Sequence, residues 1–452
     1  MYQGQVLAEQ SSRDDLLAVS QDYEQMLMTV MQALCDRFDP SYPFVNTKLS
    51  LLTGKDFEVG DPIRGRNAVY GWIQGRGLEA LAGHCVWLEK RALGAHLAPR
   101  LSEMMRLVLN RVHHIWQQNG ERLWFFMLPD GRPFDLDKAG KPVPFVLTKQ
   151  IPYGFSDLFA SKGMYAAACY LKDDAIKQEA LKYILAVDNA IWSGQFANDQ
   201  ATLDPQNPVM PLPGRFMQGP FMIQMGTAAM LVLQKDVRGI AMGLRLIHHE
   251  LDYYVNLDGR VLGFEDGDMW EAIGTDGLPY REKNQTVLSD PGHALEFVGL
   301  VLKFTMAAKA SGFLDDQQHK EIADFERVMV LVLRQNFKNG FLGKGIGKAL
   351  DLVDRKPMNT DLPWWNLPET MRAAVYCKKI SETDDDAFMC DDVFRKCHNA
   401  FVQHFVRPDL HLMAYQTITK EGIPVDVIPA TADADPGYHT GLSIIDVLDT
   451  LF

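Results

Sequence analysis

Two short stretches of this chain carry side chains suited to moving protons. Asp290-Pro291-Gly292-His293 opens one apolar run, and Asp435-Pro436-Gly437-Tyr438-His439 opens another near the C-terminus. Aspartate suits a helix N-cap and proline the first helical position, so each histidine is expected in the first turn of its own helix. There the positive end of the helix dipole disfavours imidazolium, which predicts neutral imidazoles able to act as general bases near pH 7. A histidine at a helix start can also be a simple cap. The repeated Asp-Pro-Gly frame is what favours a paired chemical role.

Other residues extend this set. Glu296 lies three residues beyond His293, on the same helical face, where a carboxylate can orient the imidazole. Arg76, in Tyr70-Gly71-Trp72-Ile73-Gln74-Gly75-Arg76, sits among small and apolar residues and requires either an anionic or hydroxyl-rich ligand or a salt bridge such as one to Glu79. Trp364-Trp365, with Glu369 behind, offers an aromatic platform for the apolar face of a sugar and a carboxylate beside it, or else core aromatics and a capping acid. Glu265-Asp266-Gly267-Asp268 lacks the ligand spacing of a calcium loop and reads as a solvated turn. His113-His114 and His248-His249 are adjacent pairs whose side chains diverge, so neither makes a metal clamp. No glycine-rich phosphate motif is present, and a reaction with neither metal nor cofactor is the simplest expectation.

The elements that must position these residues are helices. Apolar residues recur at helical spacing over about 11–38, 67–88, 98–118, 154–171, 174–193, 217–233, 235–255, 291–311, 316–337, 361–379, 385–405 and 438–451. Helices starting near 67, 154, 217, 291, 361 and 438 each follow a long irregular stretch; the first five are each followed by a partner, and 11–38 can complete the sixth pair. This predicts an all-α (α/α)6 toroid of six hairpins, one domain over residues 1–452, with residues 1–60 an N-terminal helix and extension. Residues 119–150, where Trp124-Phe125-Phe126 and Val143-Pro144-Phe145-Val146 flank turn signals, predict a small β-hairpin insertion. In such a ring the inner helices run parallel and open their N-termini, with the residues above, on one face.

The formal charge of −13 argues against nucleic acid and anionic membrane as partners. Six cysteines without CxxC spacing, no basic-then-apolar leader and no run of 18 apolar residues point to a reduced, cytoplasmic protein.

Taken in order, these residues resemble the N-acylglucosamine 2-epimerase superfamily, which includes renin-binding-protein-type epimerases, cellobiose 2-epimerases and aldose–ketose isomerases. The resemblance runs from about residue 67 to the C-terminus. Asp290-Pro291-Gly292-His293-Ala294-Leu295-Glu296 is similar to the family's Pro-Gly-His-x-x-Glu, Tyr438-His439 to its C-terminal aromatic-His, and Trp364-Trp365 with Glu369 to its Trp-Trp-x-x-x-Glu. The resemblance implies His293 and His439 as catalytic histidines, with Arg76, Glu296, Trp364, Trp365 and Glu369 binding a sugar. Phe155-Ser156-Asp157-Leu158-Phe159 resembles the Phe-Ser-Glu-x-Phe of the N-acylglucosamine branch, which adds Asp157 to that set. Met217-Gln218-Gly219-Pro220-Phe221-Met222 lacks the histidine that cellobiose epimerases and mannose-type isomerases carry there. Leu362, Leu442 and Ala434 stand where relatives carry lysine, arginine and, in the disaccharide enzymes, tryptophan.

The implied reaction is 2-epimerisation of an N-acylglucosamine-type aldose through a cis-enediol(ate). The alternatives are aldose–ketose isomerisation of a mannose- or glucose-type sugar, a glycosidase using Glu296 and Glu369, or a non-catalytic sugar-binding module. The resemblance allows a homodimer. It includes members with a nucleotide activator, though no nucleotide motif stands here.

Overall fold

The computed structural model describes residues 2–137, 139–145, 151–200, 212–426 and 435–451. Ala434, Val146 and the end of the expected insertion lie outside the described residues. Among the described residues twelve α-helices form in chain order: α1 Arg13–Arg37, α2 Gly71–Arg91, α3 Leu97–Gln118, α4 Phe155–Leu171, α5 Asp174–Trp192, α6 Gly219–Leu233, α7 Arg238–Tyr253, α8 Pro291–Ser311, α9 Asp316–Gly340, α10 Asn366–Ile380, α11 Asp384–His404 and α12 Ser443–Leu451. A π-helical turn, Tyr438–Leu442, precedes the last. Local chemistry marks the boundaries: Ser12 and Asp315 close capping boxes, Asp173 and Thr383 accept from the first turns of α5 and α11, and Gly312 ends α8 in the left-handed region.

The helices alternate between two roles. Along α2, α4, α6, α8 and α10 most residues are buried, as an inner ring requires, whereas α3, α7 and α9 bury only one stripe. Contacts run around the ring from α2 to α4, α6, α8, α10 and α12, and the π turn packs back on α2 to close it. This is the six-hairpin toroid expected from periodicity. The boundary at α10 is the main difference. Leu362-Pro363 pairs antiparallel with Thr417-Ile418, so the helix starts at Asn366 and Trp364-Trp365 form the turn that enters it.

That strand pair is one of several small ones with a common use. Val69-Tyr70, Phe216-Met217 and Leu288-Ser289 each enter an inner helix and pair with Phe126-Met127, Ala272-Ile273 and Leu350-Asp351 respectively. Each pins a long loop across the N-terminal end of the ring. Phe134–Leu136 and Pro142–Pro144 form the hairpin between α3 and α4. No helix among the described residues is long and apolar enough to cross a membrane. All six cysteines are free thiols, and all but the half-buried Cys169 are buried.

The tightest crossing is between α2 and α4. A Cβ on Gly163 would lie 2.1 Å from the Gly75 carbonyl oxygen, and one on Gly75 would lie 2.4 Å from the Phe159 carbonyl. Backbone cannot yield as a side chain can, so Gly163→Ala must push the helices apart. It is expected to lower stability by about 1–3 kcal/mol despite alanine's better helix propensity. A urea midpoint within error of wild type would show that the crossing has slack.

Candidate active site

Asp290 is the N-cap of α8, where its side chain accepts from the Gly292 amide at 3.1 Å, with Pro291 next in the first turn. His293 is thereby held at the ring's N-terminal end. Its Nδ1 lies 2.9 Å from Glu271 Oε2 and 3.6 Å from Asp290 Oδ2. Glu271 is buried and is steadied by Gln218 Nε2, which donates at 3.2 Å. Lys348 Nζ reaches Asp290 at 2.5 Å from the neighbouring loop.

This environment corrects the expectation of a neutral His293. Burial alone would depress the imidazole, but Asp290 and Glu271 outweigh it and raise its pKa to about 9. The helix dipole is worth less than one buried carboxylate at contact distance. Because the folded-state pKa lies above the unfolded value of 6.5, the stability this contact provides is complete below pH 6.5. It is lost as pH rises through about 9. The melting temperature should fall across that window, and His293→Gln should flatten the fall; an identical slope in the variant would show that another group titrates.

The second frame is built differently. Tyr438 adds a residue before the histidine, and Gly437, with φ of +82°, becomes the cap of the π turn. Asp435 therefore accepts from Tyr438 N at 2.8 Å and Thr440 N at 2.9 Å, and Pro436 stays outside the helix. The two Asp-Pro-Gly frames are thus alike in spelling and unlike in backbone. His439 Nδ1 lies 3.0 Å from Glu369 Oε1 and 4.0 Å from Glu296 Oε1. With Nδ1–H donated to Glu369, Nε2 is the ring nitrogen left to act as an acceptor, a tautomer assigned from the hydrogen-bond network.

One indole joins the two histidines. The Trp365 ring centroid is 5.4 Å from that of His293, at an interplanar angle of 29°, and 5.5 Å from that of His439, at 36°. Trp364 meets His439 edge-on at 6.3 Å. Glu296, one turn beyond His293 on α8, approaches the same His439 nitrogen that Glu369 holds. The structure therefore places His293, Glu296, Trp364, Trp365, Glu369 and His439 together at one end of the toroid.

Arg76 approaches from α2. Its guanidinium carbon stands 4.2 Å over the Phe159 ring and 5.6 Å over that of Tyr438, which abuts His439. Glu79, the salt-bridge partner considered for it, pairs instead with Lys162 at 3.0 Å. Among the described residues Arg76 Nε is buried without a hydrogen-bond partner, and burial pulls the group below its usual pKa while Tyr438 and Glu296 draw it back. A cation so placed favours a ligand oxygen carrying negative charge.

Asp157 has a different position from the one expected. It caps α4 and accepts from Gly154 N at 2.9 Å, Leu123 N at 3.2 Å and Tyr183 Oη at 2.5 Å, with Arg122 forked across both oxygens at 2.9 and 2.8 Å. Its acceptors are spent on the scaffold. Asp268, read as part of a solvated turn, is fully buried and forked by Arg355 at 2.8 and 2.5 Å.

Four residues of the site escaped the sequence reading. Lys162, 2% exposed, ties Glu79 to the Tyr438 hydroxyl at 3.1 Å, and Arg372 bonds Glu369. Both are lone cations inside apolar inner-helix runs, a signal open to reading. Glu271 and Lys348 come from loops whose composition carries no such mark. Glu296, Glu369 and His439 place one ligand atom each within 4.8 Å of one another, a set able to hold a metal ion. The bond from Arg372 already takes up one oxygen of Glu369.

No family model matches the chain, nor does any curated protein. Solved structures do. A sugar epimerase from a ruminal bacterium superposes with a TM-score of 0.68 at 11% identity, covering 96% of this chain and 99% of that one. The cellobiose 2-epimerase of Spirochaeta thermophila gives 0.68 at 13%, covering 97% and 98%. A D-mannose isomerase gives 0.62 at 13%, covering 93% and 97%. The chain has the toroid fold of these sugar epimerases. At such identity the likeness concerns the backbone, and the chemistry rests on the side chains described above.

Proposed function

We propose that this chain is a sugar isomerase that epimerises an aldose at C2 by proton transfer between two histidines. The observation that carries the reading is the pair of imidazoles, each held at Nδ1 by its own buried carboxylate and both against one indole. Solved proteins of this fold named as a sugar epimerase, a cellobiose 2-epimerase and a D-mannose isomerase support it.

In this mechanism the open-chain sugar stacks on Trp365. His439, with Nε2 unprotonated, takes the C2 proton, and the electron pair moves into a cis-enediolate whose oxygens Arg76 stabilises. His293, carrying a proton held by Glu271 and Asp290, delivers it to the opposite face of C2. Both histidines then exchange protons with water or run the reverse reaction, which restores the starting states. Glu296, whose carboxyl is raised by burial and by Glu369, is the carboxyl more disposed to take up a proton and share it with a sugar hydroxyl. Delivery to C1 instead would give a ketose, which is the alternative for a mannose- or glucose-type sugar.

An N-acylglucosamine-type sugar is the first substrate to test, on the strength of the Phe155–Phe159 segment and the missing histidine in 217–222. The test is incubation in D₂O with N-acetylglucosamine, N-acetylmannosamine, mannose, glucose and cellobiose. Epimer formation with deuterium at C2 is expected for one pair. A ketose would select the isomerase reading, hydrolysis of cellobiose the glycosidase, and binding without exchange a non-catalytic module.

A further inference from the structure

Arg372 lies on α10 one turn beyond Glu369 and is 4% exposed. Its guanidinium bonds Glu369 Oε2, while the other oxygen of that carboxylate, Oε1, holds His439 Nδ1. Its Nη1 is 3.7 Å from Asp446 Oδ2, and Asp446 is in turn bonded through both oxygens to Lys303 at 2.9 and 2.8 Å. The seat is shaped for this side chain: a Cβ on Gly299 of α8 would come within 2.8 Å of Arg372 Nε. The result is a row of alternating charge running inward from the half-buried Lys303 through Asp446 and Arg372 to Glu369, and it ends on one catalytic candidate only.

We propose that Arg372 is a positioning residue that divides the labour of the two histidines, keeping His439 the proton acceptor by neutralising Glu369. This rests on the proton-transfer reading above. The argument is a charge balance. His293 faces Asp290 and Glu271 with Lys348 as the lone cation in contact among the described residues, so one carboxylate remains in excess and is best satisfied by an imidazolium. His439 faces Glu369 from α10, Glu296 from α8 and the Tyr438 ring beside it, with Arg372 behind Glu369 and Arg76 behind Tyr438. With Glu369 paired to Arg372 and Glu296 farther off at 4.0 Å, no unpaired carboxylate is in hydrogen-bond contact with His439 to retain a second proton on it. Two histidines at the same end of the ring thereby enter the cycle in opposite states, as a two-base epimerisation requires. Without Arg372, Glu369 would be a buried, unpaired anion, and the nearest group able to neutralise it is His439 itself.

The test is ¹³Cε1-histidine titration of the full chain, alongside pH profiles of kcat/KM. In Arg372→Met the His439 midpoint should move up by about one pH unit, and the acidic limb of kcat/KM with it. Below that limb activity should be up to tenfold lower and above it regained, with KM little changed because Arg372 does not touch sugar. Arg372→Lys should restore the wild-type midpoint. Should Arg372→Met not fold, the charge-matched Arg372→Met/Glu369→Gln chain carries the test, since removing both charges should leave the midpoint at or below that of wild type. An unmoved midpoint in Arg372→Met, or a raised one in the double variant, overturns the proposal. Absence of C2 exchange in the wild type would instead overturn the epimerase reading, while the histidine titration would still decide the role of Arg372.

Discussion

His439→Ala is expected to lower turnover by about 10²–10⁴-fold while leaving the fold intact, and His293→Ala to do the same. Neither imidazole carries the scaffold, because each sits at a helix start facing the ring's open end, with its partner carboxylate anchored independently. Glu271 keeps Gln218 and Glu369 keeps Arg372. The sharper result concerns the half-reactions. In a two-base epimerisation each epimer loses its C2 proton to a different histidine. His439→Ala should therefore abolish deuterium wash-in from one epimer and spare slow wash-in from the other, and His293→Ala should show the reverse. Equal loss from both epimers in both variants would mean that one residue serves both faces. Near-wild-type turnover in either variant would falsify the mechanism.

Asp157→Ala is expected to cost about 3–5 kcal/mol of stability, because it strands the guanidinium of Arg122 and frees the Tyr183 hydroxyl in the interior. Arg122 also donates to the carbonyls of Ile151 and Pro152, at 3.1 and 2.6 Å. The loss therefore spreads from the start of α4 to the loop at Leu123 that leads into the Phe126-Met127 strand. Urea denaturation reads the effect directly. Turnover per folded molecule should be close to wild type, with KM unaltered. If stability were unchanged and KM rose instead, Asp157 would belong with the sugar-binding residues after all.

The position of a short motif decides how much it says about a ligand. In Phe155-Ser156-Asp157, the acidic residue sits at the third helical position, where a capping carboxylate is worth keeping for the backbone's sake alone. A motif at such a position reports a helix start whether or not a ligand is near. Trp364-Trp365 differs, since nothing about a helix start favours two indoles, and the structure does set both beside His439.

What the amino-acid order determined is everything governed by local periodicity and capping: the helices, their boundaries to within a few residues, their alternation into inner and outer layers, and the end of the ring at which the polar residues gather. Apolar spacing decides which face is buried, and Asp, Ser and Thr caps decide where a helix begins. Tertiary structure decided the protonation of His293, the separate backbones of the two Asp-Pro-Gly frames and the chain of charge behind His439. Each of these depends on groups far apart in sequence: Glu271 and Lys348 on loops pinned by strand pairing, and Asp446 on α12 meeting Arg372 on α10. A helix dipole can be read from the helix that makes it. The field of a buried carboxylate supplied by another loop is stronger and has no local trace, so the charge state of the site is set only when the ring closes.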